Sequence, residues 1–326
     1  MSKILGGAAI ANVLKDEGAK YLITLPVATY APLYKACIDN GIEIIGVRHE
    51  QAAGYVADGW ARTTGEPAVC AVIGGAGIVN MASALMGAHN EGSPLIAICT
   101  QSESGVSTVR GSELRRFDPK AMFSNLLKWV GFCGEAQDIA SYVRSAFRHA
   151  TVGRKGPVIL EVSRSALFGE CELDLPLNPK RYRPLNRPEA DTGSVRRVLD
   201  ALTEAKRPVI LVGDGVHLAH AWPELRDFAR LARIPVVTKS GLSQGYLPED
   251  DSLFAGVSIF NRPSLPTRIV PQADVVLALG CVFDALSAFP SPSSDAKLIQ
   301  VNLDPAEIGK SGIFDLGIAS DPKTFL

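Results

Sequence analysis

The sequence predicts an α/β protein built from two doubly wound parallel sheets. Short apolar runs alternate with helical segments along nearly the whole chain, and most connections between them are short. The run Ala68–Ile73 is apolar throughout, as expected for a parallel strand buried on both faces. Similar runs recur in the second half, at Pro208–Val212 and 274–279. This alternation is typical of parallel sheets that carry helices on both faces.

The length of 326 residues is too great for one ordinary core and sufficient for two domains of typical size. A proline-rich stretch at 168–192, with several Arg and Asn, divides the chain. Such a composition is typical of an extended linker. We therefore expect a first domain at 1–170, a linker at 171–191 and a second domain at 192–326.

The composition excludes several classes of function. The 33 basic and 34 acidic residues leave a net charge of −1, without the basic excess of a nucleic-acid binder. No apolar run reaches the ~18–20 residues that span a bilayer, and the first residues lack the apolar core of a secretory signal. The six cysteines contain no C-x-x-C pair, and the five histidines show no metal-ligand spacing. We expect a cytoplasmic protein with reduced thiols, no metal site in this chain, and no membrane or nucleic-acid partner.

Residues 43–62 predict a strand that turns directly into a helix. The side chains of Ile44, Ile45 and Val47 form the apolar strand, and small or apolar residues at helical spacing follow. Glu50 therefore falls at the carboxyl end of the strand and in the first turn of the helix. Ligands bind at this edge of an open α/β sheet, although a carboxylate here can also simply complement the helix dipole.

Two glycine-rich loops follow predicted strands, one in each half. The first, at 74–77, precedes a helix expected at 78–89. Its glycines can admit a ligand to the backbone next to a helix start that favours an anion, or they can form a tight structural turn. The second contains Gly213 and Gly215. With Asp304 at the end of a later strand, it suggests either a nucleotide site or a purely structural Rossmann-like domain. Neither loop completes G-x-G-x-x-G, which disfavours an NAD-dependent enzyme.

A polar segment rich in Gly and Ser, at 101–119, interrupts the alternation. Loops of this length inside a compact domain are uncommon unless they are functional. Three arginines crowd the segment, Arg110, Arg115 and Arg116. They suggest either a clamp for an anionic substrate or a solvated loop.

Five motifs occur in the order of one known family. Residues 48–62, which begin Arg-His-Glu and end Ala-Asp-Gly-Trp-Ala-Arg, resemble the R-H-E-x-x-A-x-x-x-A-D-G-Y-A-R segment of thiamine-diphosphate enzymes of the acetolactate synthase group. Four further stretches resemble the family's G-P-G-x-T-N, D-S-x-P, G-R-x-G-P-V and D-x-D-P-A-E-I-G-K motifs, at 75–80, 91–94, 153–158 and 302–310. On these motifs the chain is identified as a member of the family.

The resemblance implies a thiamine-diphosphate pyrimidine-binding domain at 1–170 and a middle domain at 192–326, which in relatives carries FAD, ADP or nothing. Glu50 matches the glutamate that contacts N1′ of the aminopyrimidine. The residues expected at the cofactor are Pro26, Val27, Ala28, Glu50, Gly75, Gly77 and Asn80. Those expected at the substrate are Gln101, Arg115, Arg116 and Phe117, and those at a nucleotide are Gly213, Gly215 and Asp304.

The chemistry implied by the resemblance assigns Glu50 as the catalytic residue. A largely buried carboxyl has a raised pKa and can share a proton with a ring nitrogen. In this family, protonation of N1′ favours the 4′-imino form of the pyrimidine, which removes the C2 proton of the thiazolium. The thiazolium ring then acts as the electron sink for cleavage or formation of a C–C bond.

Three features depart from the family pattern. The loop with Pro26 and Val27 resembles the oxalyl-CoA decarboxylase and 2-hydroxyacyl-CoA lyase branch, and residues 115–118, Arg-Arg-Phe-Asp, replace Q-E-x-D. The third departure is that the sequence lacks the motif of the family's pyrophosphate-binding domain. In that domain a G-D-G and a later Asn hold Mg²⁺ and the diphosphate. Residues 237–245, downstream of Gly213, contain no Asn. We expect that domain in the remainder of a longer chain or in a partner subunit, within a homo- or hetero-oligomer (dimer or tetramer).

The sequence therefore predicts a component of a thiamine-diphosphate-dependent lyase, carboligase or decarboxylase. Its substrate would be a 2-oxo or 2-hydroxyacyl compound, with CoA thioesters among the candidates. The alternative is a nucleotide-binding regulatory or assembly subunit that keeps the fold without the chemistry. The retained Glu50 argues against this alternative.

Overall fold

A computed structural model describes residues 3–101, 118–173, 178–184, 186–238, 246–258, 263–283, 290–310 and 312–326. The chain divides into two compact units, residues 1–185 and 186–326. Among the described residues, none of the helices combines the length and the apolar character that crossing a membrane requires.

The first unit is built on a six-stranded sheet with helices on both faces. Its strands are β1 (Lys3–Leu5), β2 (Tyr21–Thr24), β3 (Glu43–Gly46), β4 (Ala68–Ile73), β5 (Leu95–Gln101), β6 (Trp129–Cys133), β7 (Val158–Ser163) and β8 (Glu170–Glu172). Its helices are α1 (Gly6–Asp16), α2 (Ala31–Asp39), α3 (Glu50–Thr64), α4 (Ala76–Asn80), α5 (Ala82–Glu91), α6 (Pro119–Phe123), α7 (Ile139–Thr151) and α8 (Arg164–Phe168). The sheet order is β3-β2-β4-β5-β7-β6, and every neighbouring pair is parallel.

Two apolar clusters cover the two faces of this sheet, because successive side chains of a strand point to opposite faces. On β4, Val69 and Ala71 join the cluster that α1, α2 and α7 complete. Cys70 and Val72 join the opposite cluster, to which α3 and α5 contribute. The predicted α/β class with doubly wound parallel sheets is confirmed.

Part of the stretch expected to be linker packs on the first unit. Strand β8 pairs antiparallel with β1, in a two-stranded sheet of its own. Farther along, the Tyr182 hydroxyl donates a hydrogen bond of 2.5 Å to Glu17, and Arg183 forms an ion pair with the same carboxylate. The Glu17 side chain is fully buried in this contact. Strand β8, Tyr182 and Arg183 therefore contribute contacts to the first unit, which a proline-rich composition alone does not indicate.

The second unit holds a second parallel sheet. Its strands are β9 (Pro208–Val212), β10 (Val236–Thr238), β11 (Phe254–Val257), β12 (Val275–Leu279), β13 (Lys297–Asn302) and β14 (Leu316–Ala319). Its helices are α9 (Thr192–Glu204), α10 (Asp214–Leu218), α11 (Trp222–Ala232), α12 (Leu265–Ile269) and α13 (Pro322–Phe325). The order β11-β10-β9-β12-β13-β14 is that of a Rossmann sheet, with the strand order reversing between β9 and β12.

Candidate functional site

The sheet order of the first unit brings three predicted loops together. Strands β3, β2 and β4 are neighbours, and the chain leaves β2 in one direction and returns to β4 on its other side. In a parallel sheet, ligands bind outside the carboxyl ends of the strands at such a reversal. The loop with Pro26, the turn before Glu50 and the glycine loop at 74–77 all leave this edge.

Glu50 is the first residue of α3 and is buried, with 7% of its surface exposed. The preceding residue, His49, caps the helix by accepting a hydrogen bond from the Gln51 N–H at its Nδ1, at 3.2 Å. Alanines spaced by four residues along α3 bury one face of the helix against the sheet. The sequence therefore places a carboxylate at the head of a helix whose position is fixed by packing.

Two neighbours define the surroundings of the Glu50 carboxylate. Asn80 Nδ2 donates a hydrogen bond of 3.0 Å to Glu50 Oε2. Gly77 lies beside the other oxygen, because a Cβ added there would be 3.2 Å from Glu50 Oε1 and 2.6 Å from Ile73 Cγ2. One oxygen is thus committed to an amide, and the other lies beside a position that has no side chain.

The helix expected at 78–89 is broken in the structure. Helix α4 ends at Asn80, and α5 begins at Ala82. The turn between them is closed by the Met81 N–H on Ile78 O at 3.1 Å, the tighter spacing of a 3₁₀ turn. Gly75, before α4, has φ 68° and ψ −121°, which a residue with a side chain rarely adopts. The break ends the short helix at the residue that contacts Glu50.

The loop after β2 carries the other residues expected at the cofactor. Pro26 and Ala28 are exposed, whereas Val27 is half-buried against the core. The Val27 N–H donates to the Tyr34 hydroxyl at 3.2 Å. This loop therefore exposes the side chains of Pro26 and Ala28 at the edge of the sheet, while a hydrogen bond to Tyr34 holds its backbone.

Residues of the motif at 153–158 bond to the C-terminal ends of α3 and α5. Lys155 Nζ donates to Gly65 O at the end of α3, at 2.8 Å. Arg154 Nη2 donates to His89 O and Asn90 O at the end of α5, at 3.0 and 3.1 Å. Cations at helix C-termini complement the helix dipole. These residues stabilise α3 and α5 at the ends remote from Glu50.

The residues expected at the substrate have few described features. Gln101 is the last residue of β5, and its side chain lies outside the described part of the structure. Arg110, Arg115, Arg116 and Phe117 also lie outside the described residues. Asp118, which follows them, caps α6 by accepting hydrogen bonds from two backbone N–H groups.

In the second unit, Gly213 and Gly215 lie at the strand reversal but face backbone. A Cβ on Gly213 would be 2.5 Å from Gly280 O, and one on Gly215 would be 2.7 Å from Gly280 Cα. The Gly215 N–H already donates to Gly280 O at 3.0 Å. Close packing of the loops after β9 and β12 therefore accounts for both glycines.

Asp304 has a local partner as well. Its Oδ1 accepts a hydrogen bond from the Ala306 N–H at 3.0 Å and caps a 3₁₀ turn. Its own N–H donates to Asn302 Oδ1 at 2.9 Å. The carboxylate expected at a ribose hydroxyl thus has a structural role in its own turn.

Sequence patterns did not single out several buried or half-buried polar groups of the first unit. Glu161 lies on β7, opposite Cys99 of β5, and its burial, with Asp118 nearby, raises its pKa to about 7. Tyr30, Tyr34 and Thr24 form side-chain hydrogen bonds beneath the loop after β2. The only sequence signal for these groups is a polar residue within an otherwise apolar segment.

The metal-binding potential of the described residues is limited. They contain no group of three or more His, Cys, Asp or Glu side chains able to hold a metal ion. All six cysteines are buried free thiols.

The fold and the edge of its first sheet define a class of protein: two α/β domains, the first with a buried carboxylate at its strand reversal. Solved structures share this fold. A thiamin diphosphate-dependent enzyme from Mycobacterium smegmatis aligns with a TM-score of 0.82 at 22% identity, over 99% of this chain and 62% of that one. Benzoylformate decarboxylase from Polynucleobacter necessarius aligns with a TM-score of 0.81 at 21% identity, over 99% and 60%.

Sequence comparison gives the family. Residues 4–122 match the N-terminal TPP-binding domain of thiamine pyrophosphate enzymes, and residues 195–326 match their central domain. The two matches together cover more than three quarters of the chain. The chain belongs to the thiamine pyrophosphate enzyme family, as its motifs predict.

Among its relatives are acetolactate synthase large subunits. The chain is 31% identical to a probable one from Methanocaldococcus jannaschii, over 98% of this chain and 55% of that protein. It is 30% identical to one from Corynebacterium glutamicum, over 99% and 52%. The chain spans about half the length of the curated relatives it matches.

Proposed function

We propose that this chain supplies the pyrimidine-activating half of a thiamine-diphosphate-dependent enzyme that forms or cleaves a C–C bond. The observation that carries this proposal is the buried Glu50, with one oxygen held by Asn80 and the other beside the bare Gly77. The family membership supports thiamine diphosphate as the cofactor. The acetolactate synthase relatives favour a carboligase or decarboxylase of 2-oxo acids, with 2-hydroxyacyl compounds as the second substrate class.

The first-unit edge fits the aminopyrimidine end of the cofactor. A Cβ at Gly77 would compete for space next to Glu50 Oε1, so its absence leaves room for a flat ring beside that oxygen. The loop of Pro26, Val27 and Ala28 leaves the adjacent strand and would line the same space. When bound, the cofactor supplies the electron sink for the reaction.

The residues of this chain would bind the aminopyrimidine ring, orient it and exchange a proton with it. Asn80 donates to Oε2 and so orients the carboxylate, which leaves Oε1 to share a proton with a ring nitrogen. Burial of Glu50 keeps water from competing for that proton. Gly77 and the loop after β2 would fix the ring against the carboxylate. Each of these roles precedes contact with the substrate.

The other end of the cofactor requires a pyrophosphate-binding segment. We propose that this segment, with Mg²⁺, belongs to the rest of a longer chain or to a partner subunit. The curated relatives support this, since the matched region spans about half of their length. The contacts around Gly213, Gly215 and Asp304 give no support to FAD or ADP in the middle domain, so neither nucleotide is part of the proposal.

The test is exchange of the C2 proton of thiamine diphosphate for deuterium in the enzyme assembled with its pyrophosphate-binding segment. General acid–base catalysis contributes ~10²–10⁴-fold, so Glu50→Gln should slow exchange by that amount. Glu43→Gln is the matched control, because Glu43 is an exposed glutamate on the strand that leads to Glu50. Equal exchange in wild type and Glu50→Gln would reject the role. Failure of the assembled wild type to bind thiamine diphosphate would favour the regulatory alternative.

A further inference from the structure

Two tyrosines hold the loop that follows β2. Tyr30 closes a 3₁₀ turn formed by Ala28–Tyr30, and Tyr34 lies one helical turn farther on, in α2. Their rings are 6.0 Å apart between centroids. The two tyrosines that hold the segment with Pro26, Val27 and Ala28 therefore both follow it in the chain.

The Tyr34 hydroxyl belongs to a directed chain of hydrogen bonds. Thr24 Oγ1 donates to Ala71 O on β4 at 2.7 Å. Because its single hydrogen is directed to a backbone carbonyl, the bond of 2.9 Å between Tyr34 and Thr24 has Tyr34 as donor. The Tyr34 oxygen in turn accepts from the Val27 N–H at 3.2 Å. The chain thus runs from the loop backbone, through two hydroxyls, to the strand that precedes the glycine loop.

Tyr30 differs from Tyr34 in what its hydroxyl contacts. It is fully buried, and its single hydroxyl hydrogen is shared between two strand carbonyls, Val72 O at 2.9 Å and Ile98 O at 3.1 Å. Tyr30 bonds to the loop through its backbone, since its N–H donates to Val27 O at 3.1 Å, whereas its hydroxyl bonds to the core of the sheet. Tyr34 is half-buried and bonds directly to the backbone at the centre of the loop.

We propose, resting on the proposed function, that Tyr34 is a positioning residue for the cofactor loop. Its hydroxyl, oriented by Thr24, holds the Val27 N–H and so keeps Pro26, Val27 and Ala28 in the conformation that meets the aminopyrimidine. The same chain ends on β4, whose next residues lead to Gly75 and Gly77. Tyr34 and Thr24 therefore link the two loops that flank the ring to one another. Their effect is on binding of the cofactor, not on the proton transfer at Glu50.

The experiment compares Tyr34→Phe with Tyr30→Phe in the assembled enzyme. Tyr34→Phe removes both hydrogen bonds of the hydroxyl. Loss of the one that holds the Val27 N–H should raise the half-saturating concentration of thiamine diphosphate about three- to tenfold. The kcat at saturating cofactor should stay within twofold of wild type. Tyr30→Phe should lower Tm more than Tyr34→Phe, because it leaves buried carbonyls without their donor, and should leave half-saturation within twofold.

Thr24 provides a rescue pair. Thr24→Val removes the hydroxyl at nearly constant volume and should reproduce the loss of affinity, whereas Thr24→Ser keeps the hydroxyl and should bind as wild type. Combining Thr24→Val with Tyr34→Phe should cost less than the two separate effects combined, since both interrupt one chain. A direct reading comes from hydrogen exchange of the Val27 amide in the chain without cofactor. It should be at least fivefold faster in Tyr34→Phe than in Tyr30→Phe.

The outcomes separate this inference from the proposed function. If Tyr34→Phe leaves half-saturation and Val27 exchange unchanged while Glu50→Gln slows C2 exchange, the positioning role is wrong and the proposed function stands. A loss of Tm without any change in half-saturation also rejects the positioning role. If the assembled wild type binds no thiamine diphosphate, the proposed function fails and the positioning role fails with it.

Discussion

The two glycine loops both lie beside the strand reversal of their unit but have opposite surroundings. Each follows one of the two strands that flank the reversal of its sheet, β4 in the first unit and β9 in the second. The missing Cβ of Gly77 would meet two side chains, Ile73 at 2.6 Å and the Glu50 carboxylate at 3.2 Å, whereas that of Gly213 would meet only backbone, with Gly280 O at 2.5 Å. A glycine can therefore be required by a ligand site or by close packing of two loops. What lies opposite the glycine distinguishes these cases, and the sequence of the loop does not.

Among the glycine substitutions, Gly77→Ala should have the largest effect, on the rate of C2 exchange. The added methyl group would lie 2.6 Å from Ile73 Cγ2 and 3.2 Å from Glu50 Oε1, so the ring and the carboxylate both lose space. We expect C2 exchange in the assembled enzyme to slow by ~30-fold or more, equivalent to ~2 kcal/mol. Gly59→Ala in α3 is the control, since its added Cβ contacts nothing within 4 Å. Equal exchange rates in these two variants would show that the loop of Gly77 is not a ligand site.

Gly213→Ala should affect folding instead of the cofactor. Its added Cβ would meet three backbone atoms within 3.0 Å, and backbone cannot move aside as a flexible side chain can. We expect the second unit to lose ~1–3 kcal/mol of unfolding free energy, measured by denaturant unfolding with Gly312→Ala as the control. If stability is unchanged and only nucleotide binding is lost, the loop is a ligand site after all.

Asn80→Ala removes the donor that orients Glu50. The bond from Nδ2 to Oε2 involves a carboxylate, and such bonds contribute ~1.5–3 kcal/mol when the carboxylate is ionised. We expect C2 exchange to slow by about tenfold, less than for Glu50→Gln because the carboxylate remains. Asn90→Ala, at the exposed end of α5, provides the control. An Asn80→Ala enzyme with the wild-type exchange rate would show that Gly77 and packing alone orient Glu50.

The stability of the first unit should depend on pH through Glu161. Burial of Glu161, with Asp118 as a second contribution, raises its pKa from 4.5 to about 7. Between these values the folded state binds the proton more tightly than the unfolded state, so unfolding free energy falls as pH rises from about 4.5 to 7. Glu161→Gln should remove this fall, which we expect to be ~1–2 kcal/mol. Measuring the first-unit transition at pH 5 and pH 8 checks it. A wild-type slope retained in Glu161→Gln would assign the dependence to another group.

Sequence reasoning predicted most of the regular structure and the position of Glu50. Strands Ala68–Ile73 and Pro208–Val212 occur at the predicted residues, because each is a short run that is apolar throughout. The family and the fold class were also evident, since several motifs occur in order.

Other features depend on contacts that no local pattern records. Nothing in the sequence around Met81, neither Gly nor Pro, indicates the break between α4 and α5. The pairing of β1 with β8 joins two three-residue strands from distant parts of the chain. The hydrogen-bond chain through Tyr34 and Thr24 requires that α2, β2 and β4 be assembled first. These are tertiary effects, and only the folded chain brings their partners together.

The most direct test of the central claim compares two buried glutamates of the first unit. Glu50 and Glu161 have similar exposure, 7% each, but only Glu50 lies at the edge where β3, β2 and β4 end. In the assembled enzyme, Glu50→Gln should slow C2 deuterium exchange of thiamine diphosphate by ~10²–10⁴-fold. Glu161→Gln should change it less than threefold. Equal rates in the two variants would contradict the assignment of Glu50 as the group that activates the cofactor.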